Sequence, residues 1–273
     1  PDEFPTPTHR THDANPAFAT LLTDPSIAPT QPNNPLDRLT PLDDPHYRPE
    51  FAVGELALFA TDPEAHHRQY VLGLPPWELH QVDGPRRRAL LFGEIAHAGL
   101  EAMSRWPDAD PAVLTEDLLA STVLPVAAWR DPFSRELAAL LRRCRQSAVA
   151  GPWLADGEAR TEEPFSLVLD HGLVNGIVDY MGRGEDGLWQ LVDYKTGHNS
   201  APDEAVDRYR LQLEIYTLCL EALYPGQDEY RAILYLTDRD DIHLLRFAPA
   251  ELATVHEKIN DLVAQLVLAT PRP

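Results

Sequence analysis

The chain has 273 residues, a formal net charge of −20 and only two cysteines, Cys144 and Cys219. Two thiols are too few for a disulfide framework, a Cys-x-x-Cys zinc site or a four-thiolate iron–sulfur cluster. The acidity argues against high nonspecific affinity for DNA, and no apolar run approaches membrane-spanning length. The chain starts at Pro1 rather than methionine, so we expect a piece of a longer cytoplasmic protein.

Residues 1–50 are rich in proline and hold eleven of the chain's 26 prolines. They show no sustained apolar periodicity, and proline-rich segments favour extended conformations. We therefore predict a linker or an extended strap over residues 1–50 and a folded domain over residues 51–273.

Residues 51–151 are predicted to be the helical part of this domain. Apolar spacing indicates a helix that begins near Phe51 and ends or restarts at Asp62-Pro63, then a second helix from Arg86–Arg88 to Met103. Two further helices fall between Pro107 and Gly151. Three basic residues at a helix N-terminus oppose the helix dipole, so they indicate either a charge partner, such as DNA phosphate, or a solvated face. A second basic cluster comprises Arg135, Arg142, Arg143 and Arg145. It indicates either a stripe that faces solvent or a contact with DNA or another domain.

Residues 160–273 are predicted to form a sheet with flanking helices. Short runs rich in valine and leucine predict strands, and longer amphipathic runs predict helices. In chain order these are strands at Glu162–Leu169, Leu173–Tyr180 and Leu188–Tyr194, a helix at Asp203–Leu223, strands at Tyr230–Leu236 and Ile242–Phe247, and a helix at Pro249–Leu268. This order predicts an α/β domain with a central mixed sheet flanked by helices.

Two aspartates fall in neighbouring predicted strands. A glycine-rich gap separates these strands, which is typical of a loose hairpin, and the midpoint between Asp179 and Asp193 falls on Asp186 inside the turn. The two carboxylates are then nearly opposite each other, with Cβ atoms roughly 4.5–5.5 Å apart. Lys195 shares the face of Asp193, because residues two apart in a strand point the same way.

Two close carboxylates and one ammonium suit an attack on a phosphodiester. A divalent ion such as Mg²⁺ is often held by one or two carboxylates, and it lowers the pKa of a bound water and polarises a phosphoryl oxygen. The lysine would offset negative charge in the transition state. The alternative is an ordinary surface ion pair at a strand end, which carries little energy.

Several separated motifs resemble the RecB-type nuclease domain of the PD-(D/E)xK superfamily. They are Asp179, the run Asp193-Tyr194-Lys195-Thr196-Gly197, Gln212 and Tyr216. The resemblance runs from about Phe51 to the end and is greatest to the C-terminal nuclease domain of AddA-type helicase-nucleases. It implies a restriction-endonuclease-like core and cleavage of DNA that depends on Mg²⁺, with Mn²⁺ as a substitute. Asp62 stands where relatives with an iron–sulfur cluster carry cysteine, so we expect no such cluster here.

The resemblance also implies a metal site and a catalytic lysine. A Gly-x-x-x-His run begins at Gly93, and its histidine would reach the metal from a helix. The implied metal ligands are His97, Asp179, Asp193 and the backbone carbonyl of Tyr194. Lys195 would position or activate the attacking water.

Further residues are implied around these ligands. Glu163 resembles an acidic residue just outside them, either as a water-mediated ligand of a second metal or as a partner that orients Lys195. An exposed strand-start glutamate is the alternative. Gln212 and Tyr216 match a Gln-x-x-x-Tyr motif that lines the DNA groove, and Arg208 belongs to the same helical stripe.

These features predict the exonuclease domain of a helicase-nuclease that processes double-strand-break ends for recombinational repair. By resemblance, its partners are a single-stranded DNA end fed by a motor, the motor domains of the same parent polypeptide and a second helicase-nuclease subunit. The sequence has no P-loop motif, so any motor lies elsewhere in the parent, and we expect no membrane partner. Two alternatives are a cleavage-inactive scaffold with the nuclease fold that binds DNA or a partner subunit, and a Mg²⁺-dependent phosphohydrolase of a small substrate.

Overall fold

The structure is a computed structural model that describes residues 48–74, 76, 84–156, 158–197 and 202–270, without the side chains of residues 202–205. Almost all of the predicted strap, residues 1–47, lies outside the described residues. From Arg48 onward the described residues belong to one compact unit. Within these ranges, no helix is both long enough and apolar enough to cross a lipid bilayer.

The predicted helices and strands form, with ends that differ by up to three residues from the sequence prediction. The helices are α1 Val53–Thr61, α2 Pro63–His66, α3 Pro85–Arg105, α4 Pro111–Ser121, α5 Arg130–Gln146, α6 Ala150–Leu154, α7 Pro202–Leu223 and α8 Pro249–Ala269. The strands are β1 Glu50–Ala52, β2 Arg160–Val168, β3 Leu173–Arg183, β4 Trp189–Lys195, β5 Tyr230–Leu236 and β6 Asp241–Phe247. A π-helical turn at His67–Val71 and a 3-10 turn at Ala127–Trp129 complete the described elements.

The six strands form one mixed sheet in which β3 has three partners. The path through the sheet is β1-β3-β4-β5-β6, and β2 also pairs with β3. The β1–β3 and β4–β5 pairs are parallel, and the other pairs are antiparallel. The prediction of a central mixed sheet flanked by helices is therefore confirmed.

One edge of β3 is shared by two strands. Because β2 pairs along most of one edge, β1 and β4 must both use the other edge. There β1 pairs with residues 173–175 and β4 pairs with residues 180–183. Residues 176–179 therefore lie between the two ladders, with Asp179 next to the first β4 pair. Since Tyr180 pairs with Val192, the same register continues to Asp179 opposite Asp193.

The two faces of the sheet are covered by different helices. Neighbouring residues of β4 point to opposite faces, as the strand period of two requires: Leu191 belongs to one core cluster and Val192 to the other. The first cluster includes buried residues of α1, α7 and α8. The second includes buried residues of α3, α4, α5 and α6. The sheet is therefore covered on both faces, and α3 packs on the face that Val192 occupies.

Strand β1 differs from the sequence prediction. Glu50–Ala52 pairs in parallel with β3, whereas the sequence predicted the end of the linker and the start of a helix there. Three residues are too few to show a strand periodicity, and this strand forms because β3 offers an edge to it. The helix that follows begins at Val53.

Candidate metal-dependent active site

His97 reaches the sheet from the middle of α3. Its Nδ1 atom lies 3.3 Å from Asp179 Oδ1 and 3.9 Å from Glu162 Oε1. One turn earlier, Gly93 faces the end of β4, and a Cβ atom there would lie 3.4 Å from Thr196 Oγ1. Burial lowers the pKa of His97, but the hydrogen bond and negative charge of Asp179 outweigh burial and raise that pKa above its ordinary value.

Asp179 joins β3 to both the helix and β4. Its Oδ2 atom accepts a hydrogen bond from the backbone N–H of Tyr194 at 2.6 Å. Its Oδ1 atom faces His97. The side chain is buried, so this carboxylate lies at the inner end of the site, where the β3–β4 ladder ends.

Asp193 is fully buried and has a partner for each carboxylate oxygen. Oδ2 lies 2.7 Å from the ammonium of Lys195, and Oδ1 accepts a hydrogen bond from Gln212 Nε2 at 2.9 Å. Burial raises the pKa of Asp193 to about 6 although the charge of Lys195 opposes this shift. Burial also lowers the pKa of Lys195, yet the charges of Asp193 and Asp179 raise it overall. The pair therefore lies in a site that is buried at Asp193, open to the groove at Lys195, and surrounded by an excess of negative charge.

Three side chains of the described residues form a group that could hold a metal ion. Ligand atoms of His97, Glu162 and Asp179 all lie within 4.8 Å of one another. The donors are carboxylate oxygens and one imidazole nitrogen, with no thiolate, which suits Mg²⁺ or Mn²⁺. Asp193 lies outside this group, because its carboxylate contacts Lys195 and Gln212.

Glu162, rather than Glu163, belongs to this group. Thr161 pairs with Tyr180 and Glu163 pairs with Val178, so Glu162 falls opposite Asp179. Its backbone has φ of 51°, in the left-handed region that is uncommon for residues other than glycine. Burial, followed by the charge of Asp179, raises the pKa of Glu162.

Glu163, which the sequence singled out, lies elsewhere. Its Oε1 atom lies 3.1 Å from Arg160, and it does not line the groove described below. The local sequence does not distinguish these adjacent glutamates, because the choice depends on the register of β2 against β3.

Of the two residues in the Gln-x-x-x-Tyr motif, Gln212 contacts both Asp193 and Tyr216. Gln212 donates to Asp193 and, at 2.8 Å, to the hydroxyl of Tyr216. Tyr216 is buried and packs edge-on against Phe165. None of Arg208, Gln212 and Tyr216 is among the described residues that line the groove, and Arg208 is exposed on α7.

The ring of Tyr194 lies on the face of the sheet that α3 covers. It is buried and meets the His97 ring edge-on, with 6.3 Å between the ring centroids. Asp193 and Lys195 contact each other on the other side of the strand, as the period of two predicts. A metal-binding role for the Tyr194 carbonyl stays a prediction.

A groove of about 720 Å³ runs along α3 past this site. One side of α3 lines it over four turns, from Arg86 to Glu101, and Glu162 and Lys195 lie at its inner end. Arg88, from the same basic run, instead lies 2.6 Å from Glu136 and over the Phe133 ring. The described groove therefore contains two cationic side chains, Arg86 and Lys195, which is few for a nucleic-acid surface.

Comparison with known proteins agrees with this fold. Residues 50–272 match the profile of the family described as the PD-(D/E)XK nuclease superfamily. The chain is 39% identical over 79 residues to the A subunit of the ATP-dependent helicase/nuclease of Lacticaseibacillus casei (strain BL23), which covers 29% of this chain and 6% of that protein. The same subunit from Lactiplantibacillus plantarum is 35% identical over 97 residues, covering 30% of this chain and 8% of that protein. The matched part thus spans less than a tenth of these relatives.

A solved structure shows the same fold. It is the crystal structure of a provisionally named exonuclease from Eubacterium rectale, with a TM-score of 0.50, 11% sequence identity and 80% of each chain covered. The resemblance inferred from Asp179, Asp193 and Lys195 is therefore confirmed at the level of the family. Over residues 50–272, this chain belongs to the PD-(D/E)XK nuclease superfamily.

Proposed function

We propose that this chain is the divalent-metal-dependent exonuclease domain of a helicase-nuclease and that it cleaves single-stranded DNA. The observation that carries the proposal is the juxtaposition of two charged groups, of which His97, Glu162 and Lys195 line the same groove. The ligand group of His97, Glu162 and Asp179 lies beside the buried pair of Asp193 and Lys195.

A divalent ion fits the donor set of this site. His97, Glu162 and Asp179 would hold it, and Asp193, which lies beside this group, and the Tyr194 carbonyl would be further ligands. When bound, Mg²⁺ or Mn²⁺ supplies a Lewis acid for the phosphoryl oxygen and a lowered pKa for a coordinated water. Lys195, 2.7 Å from Asp193, and His97, 3.3 Å from Asp179, already oppose part of the negative charge of the buried carboxylates, and a bound divalent ion would oppose more of it.

Lys195 and Gln212 would perform complementary tasks. The Lys195 ammonium lines the groove, so it can orient the attacking water and offset the charge that develops on the phosphate. Gln212 fixes the orientation of Asp193 by donating to Oδ1, while Oδ2 faces Lys195. Together they hold the reacting groups in place before the substrate arrives.

The groove supports a single strand as the substrate. Its described lining offers small residues on α3, such as Ala89, Gly93 and Ala98, and only two cations. A duplex would need a wider basic surface than this acidic chain offers.

The relatives are named as subunits of an ATP-dependent helicase/nuclease, and they motivate the rest of the proposal. In it, motor domains of the same parent polypeptide deliver the strand, a second subunit assists, and the parent processes double-strand-break ends.

The test is cleavage of end-labelled single-stranded DNA by this chain at low salt, in Mg²⁺ and in Mn²⁺. We expect degradation that EDTA stops, that Lys195→Ala abolishes and that Lys258→Ala preserves. Lys258 is the chain's other lysine, and its ammonium pairs with Glu214 on α7. Equal loss in both lysine variants, or no cleavage by the full-length parent, would contradict the proposal.

A cleavage-inactive scaffold is the second candidate, and the net charge of −20 favours it. The intact trio of Asp179, Asp193 and Lys195 opposes it. Asp193→Ala separates the two, because it should abolish cleavage if the domain is a nuclease and change neither DNA binding nor partner assembly if the domain is a scaffold. Competition by unlabelled single-stranded DNA separates a nuclease from a phosphohydrolase of small substrates.

A further inference from the structure

Tyr209 lies across the groove from α3, in a part of α7 that the sequence motifs do not include. Its ring centroid lies 4.8 Å from the ammonium nitrogen of Lys195, which is within the range of a cation–π contact. The residue is partly buried and packs against the first core cluster, so the ring is held by its neighbours. Tyr209 and Lys195 both line the groove.

Tyr209 and Gln212 lie three residues apart on α7, and so on the same side of the helix. Gln212 donates to Asp193, whereas Tyr209 contacts Lys195. One side of α7 therefore contacts both members of the buried ion pair.

We infer that Tyr209 is a positioning residue of the nuclease site, which holds the ammonium of Lys195 at the groove. This inference rests on the proposed function. A lysine side chain is long and flexible, and Asp193 is its short-range ionic partner at 2.7 Å. When a divalent ion shares the Asp193 carboxylate, that carboxylate attracts the ammonium less strongly. The aromatic face keeps the ammonium in place because it attracts a cation without a charge of its own.

The chain permits a direct test that needs neither metal nor activity. It contains two lysines, Lys195 and Lys258, so ε-¹³C-labelled lysine gives two NMR signals. Lys258→Arg assigns them, since the ion pair with Glu214 can persist in that variant. A proton above an aromatic ring resonates upfield, so we expect the Lys195 ε-methylene signal of metal-free protein to lie upfield of that of Lys258. The displacement should persist in Tyr209→Phe and vanish in Tyr209→Leu.

Steady-state cleavage provides the second readout. Tyr209→Leu should lower kcat about tenfold, as expected for losing a contact of this class, and change KM less than about twofold. Tyr209→Phe should keep at least about half of the wild-type kcat, because the ring face remains. If Tyr209→Leu does not fold, Tyr209→Met provides the same comparison with a flexible apolar side chain.

The outcomes that overturn the inference differ from those that overturn the proposed function. A Lys195 signal that is not upfield, or that Tyr209→Leu leaves unchanged, overturns the contact. A raised KM with unchanged kcat overturns positioning and assigns Tyr209 to strand binding instead. Wild-type activity in Tyr209→Leu, beside an inactive Lys195→Ala, overturns the inference alone, whereas wild-type activity in Lys195→Ala overturns the proposed function and this inference with it.

Discussion

At the scale of single residues, only one of two adjacent glutamates, Glu162, belongs to the group that could hold a metal ion. Glu163 lies opposite Val178 and Glu162 lies opposite Asp179, so the two side chains point in different directions. The left-handed backbone of Glu162 brings its carboxylate toward His97. Such a backbone conformation costs on the order of 1 kcal/mol for a residue other than glycine. It is therefore retained where the surrounding structure or a bound ion compensates for it.

Glu162→Gln and Glu163→Gln form a matched pair of variants. Because a neutral amide is a poor ligand for a hard cation, we expect Glu162→Gln to raise the Mg²⁺ concentration at half-maximal cleavage about tenfold or more. Glu163→Gln should change it less than about twofold, because Glu163 contacts Arg160. A Mg²⁺ titration of the cleavage rate decides between them. The reverse order would assign the role to Glu163, as the sequence predicted.

The buried aspartate also makes the stability of the metal-free protein depend on pH. The pKa of Asp193 rises from 3.8 to about 6, so the folded state binds the extra proton and stability falls as the pH rises through this window. The raised pKa of His97 extends the same loss to higher pH. Asp193→Asn should remove roughly 1 kcal/mol of the difference in stability between about pH 5 and about pH 7, which urea unfolding in EDTA at these two pH values would measure. If the wild type and Asp193→Asn lose the same amount of stability between the two pH values, Asp193 is not the origin of the pH dependence.

The sequence predicted part of this site and missed another part for a physical reason. The symmetric spacing of Asp179 and Asp193 about the turn, and the two-residue period to Lys195, are local properties that a sequence displays. Glu162 depends on the register between β2 and β3 and on one unusual φ angle, neither of which has a signal in a single sequence. Contacts between segments that are distant in the sequence could therefore not be predicted from local patterns.

At the scale of elements, α3 determines how the site is assembled, because it carries His97 and lines the groove. Two glycines on this helix have different surroundings. A Cβ atom at Gly93 would meet Thr196 Oγ1 at 3.4 Å, which is ordinary contact, whereas one at Gly99 would lie 2.9 Å from Leu141 Cδ2. At Gly99, α3 therefore lies too close to α5 to admit a side chain unless Leu141 moves.

Alanine substitution should separate these two glycines. Gly93→Ala is expected to raise the free energy of unfolding by roughly 0.5–1 kcal/mol, since alanine favours the helix and fits the space. Gly99→Ala should lower it by about 1–3 kcal/mol, because buried Leu141 must move to admit the methyl group. Thermal unfolding of both variants is the measurement. A destabilised Gly93→Ala would mean that α3 lies closer to β4 than the structure places it.

The elements themselves were largely predictable, because apolar periodicity determines long helices and strands. Strand β1 was not, since its three residues acquire their structure from the edge of β3. The first core cluster shows why the long elements are robust: buried residues from α1, α7 and α8 cover the same face of the sheet.

At the scale of the whole molecule, the net charge of −20 limits how the domain holds its substrate. The described groove contains Arg86 and Lys195 as its cations, so few phosphates are neutralised. Under the proposed function, we therefore expect the isolated domain to bind DNA weakly and to depend on another part of the parent protein to present the strand.

The salt dependence of binding should reveal this small number of contacts. With two phosphate contacts, log Kd for single-stranded DNA should change with log salt concentration with a slope of about 1.4 in magnitude. Fluorescence anisotropy in Ca²⁺, at several salt concentrations, gives this slope. A slope steeper than about 3 would show that further cations, such as the arginines of α5, contact the strand.

The turn between β3 and β4 offers a practical use. Gly184 and Gly187 are hydrogen-bonded to each other at the far end of the hairpin, and Gly187 has φ of 81°. The turn lies five residues along β3 from Asp179, or about 16 Å. A fluorophore on a cysteine at Glu185, or a small peptide tag inserted beside it, would thus label the protein without touching the reacting groups. Such a label would let the path of a DNA end toward the groove be followed in real time by energy transfer.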